Sequence, residues 1–114
     1  MGIRPKERRR FPRIDHHAPV RSQIKGGSEY SHGISDDLSV GGLCYICDNF
    51  IPPATQLVLE INIFCRVLKV LGKVIWANQF PHSDRNRHGI EFMEMDQFDK
   101  KFLTDYISMY LGQL

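Results

Sequence analysis

A mainly β fold, an antiparallel barrel or sandwich with a helix at its C-terminal end, is the class this sequence predicts. Three observations carry the prediction. Short stretches in which apolar and polar residues alternate recur between residues 18 and 93. Glycine, asparagine and proline signals separate them. Past residue 96 the apolar spacing lengthens to about four, the period of a helix face.

The elements follow in order. Residues 18–24 alternate, with Val20, Ser22 and Ile24 on one face and Arg21 and Gln23 on the other. Gly26-Gly27 then supplies a turn, since glycine accepts positive φ without steric penalty. A second extended segment covers 30–38, and Gly41-Gly42 separates it from a short strand at 43–47. Asp48-Asn49 and Pro52-Pro53 mark a loop, because proline cannot donate to a ladder. Residues 56–64 place Leu57, Leu59, Ile61 and Ile63 on one face. Strands at 66–71 and 73–77 follow, with Gly72 as a bulge or bend between them. Residues 78–87 read as a polar loop, and 88–93 as a last strand with Ile90 and Phe92 on one face. The helix carries Phe98, Phe102, Tyr106 and Tyr110 in one row and Leu103, Ile107 and Leu111 in the next. Asp96 is its N-cap and Gly112 its stop.

The chain of 114 residues holds one core, with 42% hydrophobic and 25% charged residues as in ordinary globular domains. The longest apolar runs, such as Val74-Ile75-Trp76-Ala77, fall far short of the roughly 20 residues a membrane span needs. No apolar stretch follows the basic start, so no secretory signal is expected, and three cysteines do not suggest a disulfide scaffold. A reducing cytoplasm is the expected location. The net charge of +2 hides an asymmetry: residues 1–13 hold six Lys or Arg against Glu7, giving +5, and the remainder carries −3. Clustered like charges repel unless an anion meets them, so the arm is an interaction element or else a solvated tail.

Two places carry chemistry. In the arm, Arg8, Arg9, Arg10 and Arg13 present planar forks that bind phosphate oxygens bidentately, match the O6 and N7 acceptors of guanine, and stack on bases. Arg9 and Arg13 share a side of an extended chain, roughly 13 Å apart at about 3.3 Å per residue, whereas Arg10 points the other way. Pro12 limits the entropy lost when the arm settles. The second place is Asp37-Leu38-Ser39-Val40-Gly41-Gly42. If extended, it puts Asp37 and Ser39 on one face and Leu38 and Val40 on the core side. A carboxylate accepts the N1–H and N2–H of guanine, a hydroxyl donates or accepts, and Gly42 allows a sharp turn and close approach. The same residues also suit a plain turn between strands.

Arg9-x-x-x-Arg13 followed by Asp37-x-Ser39-x-x-Gly42, ahead of a strand-rich body, resembles the PilZ domain family. The likeness extends to Gly72-Lys73-Val74-Ile75-Trp76-Ala77, to His88-Gly89-Ile90-Glu91-Phe92 and to the closing helix, with no departure at the five motif positions. The resemblance implies a bacterial receptor for cyclic di-GMP on an antiparallel barrel of about six strands with a C-terminal helix. It divides the chain into a flexible basic arm (1–14), the barrel (15–95) and the helix (96–114). Arg9 and Arg13 would then bind guanine edges and phosphates, Asp37 and Ser39 guanine, and Gly42 would shape the turn. Arg8 belongs with members that take a stacked pair of ligands. Arg10 and Trp76 are further candidates, Trp76 having a core position as its other reading. The partners implied are cyclic di-GMP and a downstream effector protein, with the domain a monomer or weak dimer and no cofactor, metal, membrane insertion or nucleic-acid polymer.

Cys44-x-x-Cys47 resembles a zinc or redox pair. An odd separation within a strand sends its side chains to opposite faces, and Cys65 and the histidines supply no partner pair, so buried small hydrophobes are expected. His16-His17 reads as surface or strand edge. A nucleic-acid module with a basic arm is the competing function, and a non-binding PilZ-like scaffold is another. Asp37 separates the first from a guanine receptor, because its charge repels a polyanion. No nucleophile–base pair or metal set points to an enzyme.

Overall fold

The computed structural model describes residues 11–112. Seven strands and one helix follow the chain: β1 (Ile14–Asp15), β2 (Pro19–Ile24), β3 (Tyr30–Leu38), β4 (Gly42–Cys47), β5 (Gln56–Ile63), β6 (Arg66–Gln79), β7 (Asn86–Met95) and α1 (Gln97–Tyr110). Neighbours run β3-β2-β5-β6-β7-β4, all antiparallel, and β4 pairs back onto β3. That last pairing closes a six-stranded barrel, which leaves these strands no open edge. β1 lies outside it, pairing with the end of β3 beyond the stretch that β2 covers.

The alternation in the sequence becomes the barrel's interior. Leu57, Leu59, Ile61 and Ile63 are fully buried and pack with Leu43, Tyr45, Leu68, Val70, Val74 and Ile90. Tyr45 can sit inside because its hydroxyl is bonded to Ser22 Oγ at 2.8 Å and donates to the Ser31 carbonyl at 3.3 Å. The Asp96 side chain caps α1, accepting from the Phe98 and Asp99 amides, and the helix ends at Leu111 before Gly112 at φ +74.

Several expectations are corrected. The segments 66–71 and 73–77 are one strand, β6, with register shifts at Leu71/Gly72 and at Val74/Trp76. The polar loop is shorter than 78–87, because Asn78 and Gln79 pair with Arg87 and Asn86. Polarity misled there: Asn78 and Gln79 are exposed and still hold a ladder, and Asn86 is buried with its side-chain amide donating to the Asp48 and Asp84 carbonyls. Ile24 does not share the burial of Val20 and Ser22, being exposed at its strand end. Phe64 lies outside β5, exposed in the β5–β6 turn at φ +56. On α1 the inner row is Leu103 and Ile107, while Phe98 and Tyr110 are exposed, so the every-fourth-residue aromatic row skirts the core rather than filling it. His16 is buried rather than at the surface, its Nδ1 2.8 Å from Ser35 Oγ. The cysteines behave as expected, with Cys44 and Cys47 both buried and only Cys47 in the core cluster.

Candidate functional site

The outer face of β3, β4, β7 and β6 carries a single row of paired residues. Asp37 pairs with Cys44, Cys44 with Gly89, and Gly89 with Trp76. At about 4.8 Å per strand the row spans roughly 14 Å. Two bulges create it. In β3 the register shifts between Ser35 and Asp37, so Asp36 and Asp37 both turn outward between the inward Ser35 and Leu38. In β6 it shifts between Val74 and Trp76, which brings Trp76 outward above Gly89 instead of leaving it on the inward phase. A Cβ at Gly89 would collide with the indole of Trp76, so the ring lies directly on that glycine. Trp76 is 39% exposed, and its reading as core is overturned.

At the other end of the row, Arg13 donates to Asp37 Oδ1 at 2.6 Å, and the Cys44 amide donates to the same oxygen at 3.0 Å. Neither bond uses Oδ2. Phe11 lays its ring on Gly41, where any Cβ would strike it. Residues 11–15 are therefore seated along the Asp37–Gly42 segment by one stacking contact, one ion pair and the β1 ladder.

Ser39 sits differently from the expectation. β3 ends at Leu38, and the Ser39 side chain turns inward to accept from the Gly41 and Gly42 amides at 3.2 and 3.1 Å. It is 3% exposed and holds the turn rather than sharing a face with Asp37. Leu38 and Val40 do face the core. Gly42 begins β4 opposite Glu91, and a Cβ there would collide with the Ile90 carbonyl. Close strand packing, not a sharp turn, requires that glycine. Arg8, Arg9 and Arg10 lie outside the described residues.

Comparison with known proteins places this arrangement. The PilZ domain profile matches residues 7–108. The chain belongs to the PilZ domain family. The inhibitor of motility MotI/DgrA of Bacillus subtilis superposes with a TM-score of 0.79 at 22% identity, over 93% of this chain and 53% of its own. YcgR of Escherichia coli, solved in complex with c-di-GMP, gives 0.75 at 17% identity, over 93% and 47%. The PilZ domain of YcgR with c-di-GMP gives 0.67 at 14% identity, over 94% and 99%. This chain thus spans about half the length of the first two proteins. At these identities the likeness shows the fold. No curated protein matches the sequence.

Within this PilZ domain, three residues of the same face escaped the sequence reading: Asp36, Arg87 and Gly89. Arg87 Nη2 lies 3.3 Å from Asp36 Oδ2, and the guanidinium stands 5.6 Å from the centre of the Phe80 ring. Only Gly89 had a signal in the sequence, as the glycine of His88-Gly89-Ile90. Arg87 falls at the end of the polar run 78–87, which local pattern assigns to a loop. The Cys44 thiol beneath is pushed up in pKa chiefly by burial, so at neutral pH it is an uncharged floor. Among the described residues no group of His, Cys, Asp or Glu could hold a metal ion. No helix is long and apolar enough to cross a membrane.

Proposed function

We propose that the protein is a bacterial cyclic di-GMP receptor without enzymatic activity, binding the nucleotide between its arginine arm and the outer barrel face. The observation that carries this reading is the Asp37–Cys44–Gly89–Trp76 row in a PilZ domain, with Arg13 already against Asp37. The PilZ structures of YcgR hold c-di-GMP, which supports the ligand class. Asp37 would take the N1–H and N2–H edge of one guanine, its Oδ2 being the oxygen that Arg13 and the Cys44 amide leave aside. Arg9 and Arg13 would hold guanine acceptors and phosphates, Arg8 would take part where a stacked pair of ligand molecules binds, and Arg10 is a further candidate on the other side of the arm. Trp76 would form the opposite wall, where an indole face can stack on a purine. Ser39 and Gly42 would act by fixing the turn and the strand that present Asp37.

Charge on the face argues against a nucleic-acid polymer, since Asp36 and Asp37 both stand there. The signal would be ordering of the arm, read by an effector protein in the cytoplasm. The test is calorimetry with cyclic di-GMP on the wild type, Arg9→Ala and Asp37→Ala, with the fluorescence of the single tryptophan as a second readout. Binding that weakens at least tenfold in both variants, with a changed Trp76 emission on titration, is the expected result. Absence of binding by folded wild type would end the proposal.

A further inference from the structure

Among the described residues, Arg87 is the one arginine of the site's face that comes from the barrel itself. It lies two residues before Gly89 on β7, so it projects on the same outward side, next to the Cys44–Gly89 floor. Its side chain is 43% exposed. Three features make its present arrangement a loose one. The contact with Asp36 is through a single nitrogen at 3.3 Å, long for a charge-assisted bond. Nε is buried with no hydrogen-bond partner among the described residues. The other contacts are with the Cys44 thiol, a weak acceptor, and with the Phe80 ring, which supports the guanidinium plane without engaging its donors. Asp36 also has an alternative partner, His17 Nδ1 at 3.9 Å. A guanidinium held only by one long carboxylate contact and a weak thiol acceptor, beside a neutral floor, is suited to an incoming anion.

We propose that Arg87 is a further ligand-binding arginine, which leaves Asp36 and takes a phosphodiester oxygen of the bound nucleotide. The inference rests on the receptor reading above. It assigns the two acidic residues opposite roles: Asp37 reads guanine, and Asp36 competes with the ligand for Arg87. The neutral Cys44 and Gly89 add no charge to the floor, so the carboxylate that a phosphate displaces at Arg87 is that of Asp36.

The test compares wild type, Arg87→Ala, Arg87→Lys and Asp36→Asn by calorimetry with cyclic di-GMP, with thermal unfolding of each variant measured alongside. Arg87→Ala is expected to weaken binding by about tenfold to a hundredfold, the range for losing a hydrogen bond to a charged group. Arg87→Lys should fall between, because it retains the charge and loses the fork. Asp36→Asn should tighten binding by a few fold. A merely structural Arg87–Asp36 pair predicts the reverse pattern, with both sides of the pair weakening binding and stability together. Equal affinity of wild type and Arg87→Ala, or weakening by Asp36→Asn, overturns the inference while leaving the receptor reading intact. If the wild type does not bind, the receptor reading falls and this assignment falls with it.

Discussion

The inner and outer faces of the same strands are built on different rules. Inside the barrel, β5 sends Leu57, Leu59, Ile61 and Ile63 into a contiguous core in strict alternation. Outside, β3 and β6 break alternation with one extra residue each, and the break delivers Asp37 and Trp76 to the two ends of one row. The interior gains from regularity, because each buried side chain adds to the same apolar cluster. The exterior gains from irregularity, because a bulge re-aims a chosen side chain without changing the sheet. The packed core and the candidate site thus lie on opposite faces of the same strands, although their residues adjoin in sequence.

The sharpest way to break this comparison is to injure the inside alone. Leu59→Ala should cost about 2–5 kcal/mol in chemical denaturation, as buried leucine truncations do. Its folded fraction should still bind cyclic di-GMP with near wild-type affinity. A large loss of affinity in the folded protein would show that core and site are coupled.

Gly89→Ala injures the outside at its narrowest point. The new Cβ falls on the Trp76 indole, which must move from its seat. Overpacking of this kind costs about 1–3 kcal/mol. Ligand affinity should drop, and the tryptophan emission should shift before any ligand is added. Unchanged emission would mean that the ring does not rest on Gly89.

Ser39→Ala tests whether that hydroxyl is structural. Loss of its bonds to the Gly41 and Gly42 amides should lower stability by about 1 kcal/mol. Affinity should fall less than in Asp37→Ala. Equal losses of affinity in the two variants would make Ser39 a direct contact instead.

The smallest effect is a pH dependence confined to the inside. His88 is fully buried, its Nε2 accepts the Ile51 amide at 3.0 Å, and its Nδ1 therefore donates to the Tyr45 carbonyl at 3.1 Å. Burial lowers its pKa below the ordinary value near 6.5, and His16 shifts the same way, through burial first and His17 second. The fold thus favours neutral rings, and the unfolded chain binds the extra protons. Their contribution is complete above about pH 6.5 and is lost as the pH falls through that value toward the lowered folded pKa. Denaturation midpoints should decline across that window, and His88→Asn should flatten the decline. A midpoint profile unchanged by His88→Asn would assign the dependence elsewhere.

Legibility followed the same division. The strands at 30–38 and 43–47, the buried row of β5, the Asp96 cap and the opposite faces of Cys44 and Cys47 could all be read from local pattern, whereas the extra residue at the Leu71/Gly72 register shift is Met93 on β7 rather than Gly72. Local pattern failed where a residue's role depends on its partner across the sheet. Ser39 reads equally as a ligand contact or a turn former until β3 is seen to end at Leu38. His16 reads as polar surface until Ser35 is found beside it. Arg87 sits in a polar run that resembles a loop, and only its pairing with Ile46 and Asn78 puts it on the site's face.

By itself the sequence determined the β class, the inward row of β5, the helix and its cap, and the motifs that mark a PilZ domain. Those are set by spacing along the chain and by the chemistry of single residue types. The tertiary structure alone decided the closure of the barrel by β3 and β4, the outward turn of Asp36 beside Asp37 and of Trp76, and the company that Arg87 keeps. The reason is physical: a one-residue shift of register exchanges the faces of a strand, and register is a property of two strands together.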